Sequence, residues 1–208
     1  MAVDAGTVRD WLERFTASVR DAQEELTALD SAIGDADHAL NLLRGLDAAR
    51  EAAATVDSPG LALRKAGRAF VSYAGGATGP LWGTLLMRTG SALEPSPVVD
   101  SANFVYALRA GVTGLAERGR CKVGDGTMLD ALVPAVEALE RNPADWAAAS
   151  AAAAAGRDST GDLVPRRGRA GYLGDRAIGH VDPGAASAAL LIAALADVLT
   201  QSRIVESP

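Results

Sequence analysis

Three aspartates stand within eight residues in the run Asp30-Ser31-Ala32-Ile33-Gly34-Asp35-Ala36-Asp37. Carboxylates gathered this closely repel one another, and a hard divalent cation is the usual reason to bring them together. Mg²⁺ takes oxygen ligands and commonly keeps a few carboxylates together with substrate phosphates. The spacings of five and two do not fit one face of a helix, so the group belongs to a loop between helices. The alternative is a solvated acidic turn in which Asp37 only caps the helix that follows.

Three further segments have the composition of ligand-binding loops. Gly75-Gly76-Ala77-Thr78-Gly79-Pro80 opens a helix, with Pro80 suited to its first turn. Backbone N–H groups at such a terminus bind anions, and glycines let phosphates approach. The segment lacks the Gly-Lys-Ser/Thr of a Walker A loop, and no strand precedes it as a Rossmann fingerprint requires. An ordinary helix–helix turn is the plain alternative. The glycine-dense run from Gly119 to Asp130 could wrap a base or ribose, with Thr127 starting a helix and Met128 offering a soft apolar surface to a purine. Otherwise Met128 and Leu129 are core and the run is a connector. Residues 166–182 hold four glycines and four arginines without helical periodicity. Loops this long inside a compact domain are usually functional lids or disordered segments. The regular glycines, Tyr172 and the arginines favour a lid, with Arg176 meeting phosphate charge and Asp182 accepting from a ribose or a backbone N–H. Asp182-Pro183 is equally a good helix start whatever the function.

These loops must be positioned by helices. The chain has 208 residues, 44 of them alanine, and only nine aromatics. Alanine is the best helix former and β-branched and aromatic residues favour strands, so the composition points to an all-α fold. Apolar residues at Val8, Trp11, Leu12, Phe15, Val19, Ala22, Leu26 and Leu29 step by three and four, predicting one helix of about six turns with Thr7 as N-cap. Further helices are expected from His38 to about Val56, from Ser58-Pro59, from the Gly75–Pro80 turn, and over 100–117, 127–141, 143–164 and 183–202. That makes eight helices and no strand. No linker or composition shift divides the chain.

The net charge of −6 argues against sequence-general nucleic-acid binding, which needs a cationic surface. Cys121 is the only cysteine, excluding an intrachain disulfide, and no base partner for it is evident. His38 and His180 lack the Ser or Cys context of a hydrolytic triad. The N-terminus has no apolar signal core. The uncharged apolar run Ala185–Ala196 is too short to span a bilayer and fits a buried helix. A cytoplasmic protein without a membrane partner is expected.

In order along the chain, IGDADHALN, GGATGPLWGT, GRCKVGDGTMLDAL and GRAGYLGDRAIGHVDPGA resemble the L subunit (the nucleotide-binding subunit) of dihydroxyacetone kinases, over almost the whole length. The resemblance implies one domain spanning 1–208, an all-α barrel of eight antiparallel up-and-down helices. It implies an adenine nucleotide, ADP or ATP, at one end of the barrel, with two Mg²⁺ ions bridging its phosphates. Asp30, Asp35 and Asp37 are then the metal ligands. The nucleotide is placed among His38, Ala39, Leu40 and Asn41, Gly76, Ala77, Thr78 and Gly79, Gly119, Thr127 and Met128, and Arg176 with Asp182, Pro183 and Gly184.

His38 and the HVDPGA run resemble the phosphoenolpyruvate-driven type, in which bound ADP is rephosphorylated in place by a phosphohistidine M subunit. Members of the ATP-using type usually carry Cys or Thr after the third aspartate. No sugar-anchoring histidine site or general base is evident, and in this family both belong to a separate K subunit holding the ketose. The expected function is phosphoryl transfer from Mg²⁺-bound nucleotide to a short ketose, active only with partner subunits, and a homodimer is compatible with it. The alternatives are the L part of an ATP-dependent kinase for a four-carbon ketose, or a non-catalytic nucleotide-binding regulatory module. Ala39, Thr78 and Gly126 stand where the family usually has Gly, Ser and Lys.

Overall fold

The computed structural model describes residues 2–93 and 95–205. The apolar stripe of the N-terminal segment forms α1 (Ala5–Asp21), which buries Val8, Trp11, Leu12, Phe15 and Val19. The expected six-turn helix is interrupted at Ala22, and α2 (Gln23–Ile33) continues beyond it. No glycine or proline announces this break: the Ala22 amide still donates to the Ser18 carbonyl at 3.1 Å. The N-cap of α1 is Asp4 rather than Thr7. Its carboxylate accepts from the Thr7 amide at 2.7 Å, and the Thr7 hydroxyl lies 3.4 Å from the Asp4 amide in a capping box.

The remaining helices are α3 (His38–Ala53), α4 (Pro59–Tyr73), α5 (Thr78–Ala92), α6 (Ser101–Gly119), α7 (Met128–Arg141), α8 (Trp146–Ser159) and α9 (Pro183–Val205). The described residues therefore form nine helices where eight were expected, the extra one being α2. They also form a small antiparallel pair, β1 (Ala2–Asp4) with β2 (Val98–Asp100), where no strand was expected. Val3 pairs with Val99 and both are buried. A three-residue pairing across so much sequence leaves no local periodicity to read.

Each helix from α3 to α9 packs against the next, and α9 packs against α1, which in turn packs against α3, so the order of contacts closes on itself. Along the contact between α4 and α5 the backbones nearly touch. A Cβ on Gly67 would lie 2.7 Å from the Gly83 carbonyl, and one on Gly60 would lie 2.9 Å from that of Gly90. Interiors are close-packed, so small residues here let two helices approach more closely than side chains would permit. Aromatic rings tie the helices together inside: Trp82 of α5 lies 5.3 Å from Phe15 and 6.2 Å from Phe70, and Phe104 lies 6.1 Å from Trp11 and 6.5 Å from Trp146.

The apolar run expected to be short lies in a longer element. Pro183–Gln201 of α9 is long and apolar enough, by length and composition, to cross a membrane. It packs instead against α1, α7 and α8, with 67% of the segment buried. The Trp11 indole N–H donates to the Leu191 carbonyl at 2.9 Å beneath it.

Candidate functional site

Five segments far apart in sequence line one cavity of about 410 Å³. They are the loop between α2 and α3, the turn opening α5, the end of α6 with the loop before α7, residues 167–170, and the start of α9.

The acidic loop forms the first wall. Ligand oxygens of Asp30, Asp35 and Asp37 all lie within 4.8 Å of one another. Asp30 is buried at the end of α2, and its Oδ2 accepts the backbone N–H of His38 at 3.0 Å. Gly34 folds against it so closely that a Cβ there would strike the Asp30 carboxylate and sit 2.9 Å from its carbonyl. Ala36 has φ 63°, a left-handed conformation costly for a residue with a Cβ, which turns the chain between Asp35 and Asp37. Asp37 occupies the N-cap position of α3 but makes no capping hydrogen bond, so a capping role does not explain it. Three hard oxygen donors converging on a strained loop fit a divalent cation. Among the described residues Arg169 forms an ion pair with this group, its guanidinium lying 2.6 Å from Asp35.

His38 begins α3 next to these carboxylates. Burial pushes its imidazole below the ordinary value, against the opposing pull of Asp30 and Asp37. The Ser187 hydroxyl donates to the Gly184 carbonyl at 3.0 Å, so it accepts from His38 Nε2, 2.9 Å away. A hydroxyl has one proton to give, so this arrangement assigns the proton to Nε2 and leaves Nδ1 as an acceptor.

The second wall is the N-terminus of α5. Gly76 takes φ 59°, and Gly76, Ala77, Thr78 and Pro80 border the cavity. No side chain caps this helix; the Gly79 amide donates to the Gly75 carbonyl at 3.5 Å and Pro80 has none, which leaves the Ala77 and Thr78 amides, with the positive end of the dipole, to meet an anion. By contrast α7 is capped by Thr127, in a capping box with Asp130, and α9 by Asp182, whose Oδ1 accepts from the Ala185 amide at 2.7 Å. Burial, with Asp130 and Asp30 adding to it, pushes the Asp182 carboxyl up to about 7 despite that bond.

Leu81, Trp82, Leu115 and Met128 give the cavity an apolar side. Cys121 lies among them, and burial pushes its thiol up, as suits a packing residue rather than a nucleophile. Residues 167–170 form a further side of the cavity. The Arg166 amide donates to the Asp125 carbonyl at 2.9 Å, and Arg167 Nε stands 3.7 Å from the buried Asp125 carboxylate.

Of the residues singled out by sequence, the cavity brings together the three aspartates with His38, Gly76, Ala77, Thr78, Gly119, Thr127, Met128, Asp182, Pro183 and Gly184. Ala39 is buried behind the wall and Leu40 faces solvent. Asn41 is buried where a Cβ on Gly75 would meet its Oδ1 at 2.7 Å, so it supports the glycine turn from beneath. Gly79 is likewise buried within the first turn of α5. Arg176 is exposed and its Nε donates to the Leu173 carbonyl at 3.4 Å, and it does not line the cavity. The lid cations that do line it, Arg167 and Arg169, were not singled out. Nothing in their spacing separates them from Arg166 and Arg176.

Residues 32–197 match the DAK2 domain family. The ADP-binding subunit DhaL of PEP-dependent dihydroxyacetone kinase 1 from Listeria innocua is 37% identical over 197 residues, covering 94% of this chain and 97% of that one. The corresponding subunit from Escherichia coli is 36% identical over 205 residues, covering 94% and 98%. D-erythrulose kinase from Mycolicibacterium smegmatis is 39% identical over 201 residues, covering 91% of this chain but 35% of that protein. Among solved structures, the dihydroxyacetone kinase of C. freundii in complex with AMP-PNP and Mg²⁺ superimposes with a TM-score of 0.76 at 28% identity, over 95% of this chain and 34% of the other.

Proposed function

We propose, since this chain belongs to the DAK2 domain family, that it is the ADP-binding subunit of a phosphoenolpyruvate-dependent dihydroxyacetone kinase. The observation that carries this proposal is one cavity in which three carboxylates within 4.8 Å of one another lie beside the uncapped N-terminus of α5. Relatives matched over 97% and 98% of their own length are subunits named for binding ADP, which supports nucleotide binding by this chain.

Asp30, Asp35 and Asp37 would hold Mg²⁺, as two ions. Bound Mg²⁺ would supply neutralisation of the phosphate charge, the main demand of phosphoryl transfer. The chain itself binds and orients. The Ala77 and Thr78 amides at the start of α5 receive phosphate oxygens, and Leu81, Leu115 and Met128 enclose the base. Gly119 and the Asp182–Gly184 turn border the sugar, while residues 167–170 shield the site from water on another side. The ketose and its activation would belong to a separate K subunit. An M subunit carrying phosphohistidine would recharge the bound ADP.

The test is to denature purified protein, count nucleotide by anion-exchange chromatography, and assay the subunit with K and M partners. ADP near one equivalent that survives desalting is expected, with ketose phosphorylation only in the full mixture. The 39% identity to a D-erythrulose kinase favours one second proposal, an ATP-exchanging domain for a four-carbon ketose. Protein that emerges free of nucleotide and turns over ATP with a K partner alone would establish that instead.

A further inference from the structure

The segment 165–170 is fixed to the rest of the molecule at two points of different strength. At one, the Arg166 amide and the Arg167 side chain both reach Asp125, at 2.9 and 3.7 Å, and Pro165 packs 3.3 Å from where a Cβ on Gly126 would be. Asp125 is itself fixed, buried and accepting from the Lys122 amide at 3.1 Å. At the other point the chain turns through Gly168 at φ 64°, Arg169 pairs with Asp35 at 2.6 Å, and Ala170 is buried in a small apolar cluster with Ile33. That pair is accessible to water, with side-chain exposures of 66% for Arg169 and 33% for Asp35. Asp35 is also one of the three carboxylates whose oxygens converge. The guanidinium therefore sits on an oxygen donor that a divalent cation needs.

We propose that Arg169 is a positioning residue that latches the lid to the acidic loop through Asp35, and that a divalent cation entering the site displaces it. Capture of metal then loosens the segment at its Arg169 end, where the burial of Ala170 with Ile33 remains, while Asp125 keeps the other end anchored. The proposal rests on the assignment of Asp30, Asp35 and Asp37 as the metal site. Two positive charges placed on Asp35 both compete for its oxygens and repel the guanidinium. The latch in turn weakens metal binding in the absence of nucleotide. For an ion pair this exposed, the effect is about two- to fivefold in the dissociation constant.

The experiment uses full-length protein stripped of nucleotide, with Mn²⁺ as the probe and free Mn²⁺ read by electron paramagnetic resonance. Arg169→Gln should bind Mn²⁺ about two- to fivefold more tightly than wild type, whereas Arg169→Lys, which keeps the charge, should stay near wild type. Hydrogen exchange at the amides of 167–172 supplies a second readout. In wild type, Mn²⁺ alone should accelerate it. In Arg169→Gln it should already be fast and indifferent to Mn²⁺. Equal or weaker Mn²⁺ binding by Arg169→Gln, or lid exchange in wild type that does not rise with Mn²⁺, overturns the latch while leaving the metal site standing. Wild-type protein that binds no Mn²⁺ overturns the metal site itself, and the latch with it.

Discussion

Replacing Asp37 separates a metal ligand from a helix cap most cleanly. Its carboxylate stands at the N-cap position of α3 with φ −104° and ψ −5° and makes no capping bond. Helix α3 therefore loses no capping bond when the charge goes, only a dipole attraction of about 0.3–1 kcal/mol. The charge itself is costly, because its oxygens lie within 4.8 Å of those of Asp30 and Asp35. At that separation a pair of like charges repels by about 0.9 kcal/mol in a water-like dielectric. Salt and the Arg169 guanidinium reduce this, so Asp37→Asn should stabilise the metal-free protein by roughly 0.5–1.5 kcal/mol. For a chain of 208 residues that is an increase of about 1–6 °C in Tm.

With Mg²⁺ and ADP the order should reverse. A ligand 100-fold above its Kd and bound only to the folded state stabilises wild type by about 2.7 kcal/mol, roughly 5–11 °C. The variant lacks one of three oxygen donors and should lose most of that gain. The assay is Tm by calorimetry, for Asp37→Asn and Asp37→Ala, in EDTA, in Mg²⁺, and in Mg²⁺ with ADP. If Asp37→Ala costs about 1 kcal/mol equally with and without metal, Asp37 is a cap and the reasoning fails. A ligand-induced shift unchanged in Asp30→Asn, Asp35→Asn and Asp37→Asn alike removes the metal site, and the kinase proposal with it.

Asp182 makes the ligand-free protein pH-sensitive. Its carboxyl, raised from 3.8 to about 7, favours the protonated form on folding. Stability is thus fullest below about pH 4 and is lost as pH rises through 7, by at most about 4 kcal/mol. Tm measured from pH 4.5 to 8 should fall in wild type and stay flatter in Asp182→Asn; parallel profiles would refute this cause. Gly34→Ala forces a methyl onto the Asp30 carboxylate and should cost about 1–3 kcal/mol while weakening Mn²⁺ binding, so an unaffected Mn²⁺ titration would show that Asp30 is not held by that contact. Arg176→Ala removes one 3.4 Å bond from an exposed side chain and should change stability by less than about 0.5 kcal/mol. In the isolated subunit it should release ADP less than Arg167→Ala does, and the reverse ranking, measured by ADP dissociation, would place Arg176 on the phosphates.

The sequence by itself determined what is local. Three carboxylates within eight residues, glycines before Pro80, and Asp182 before Pro183 are short-range patterns whose chemistry follows from residue type and spacing. Helical periodicity likewise located most helices, since burial of one face repeats every three to four residues. Tertiary structure decided what spacing cannot encode. The break at Ala22 lies inside an uninterrupted apolar stripe, and the β1–β2 pair joins Val3 to the distant Val99. Four arginines in 166–182 are equivalent in composition, yet the anchoring at Asp125 and the turn at Gly168 bring Arg167 and Arg169 to the cavity and leave Arg176 outside. Asn41 became a support for Gly75, and Asp182 acquired a raised pKa, because α3, α5, α7 and α9 meet at one end of the bundle. Spacing fixes which groups can act together over a few residues. Which distant groups share a desolvated cavity is set only when the helices pack, because exclusion of water and proximity of charge are properties of the assembled walls.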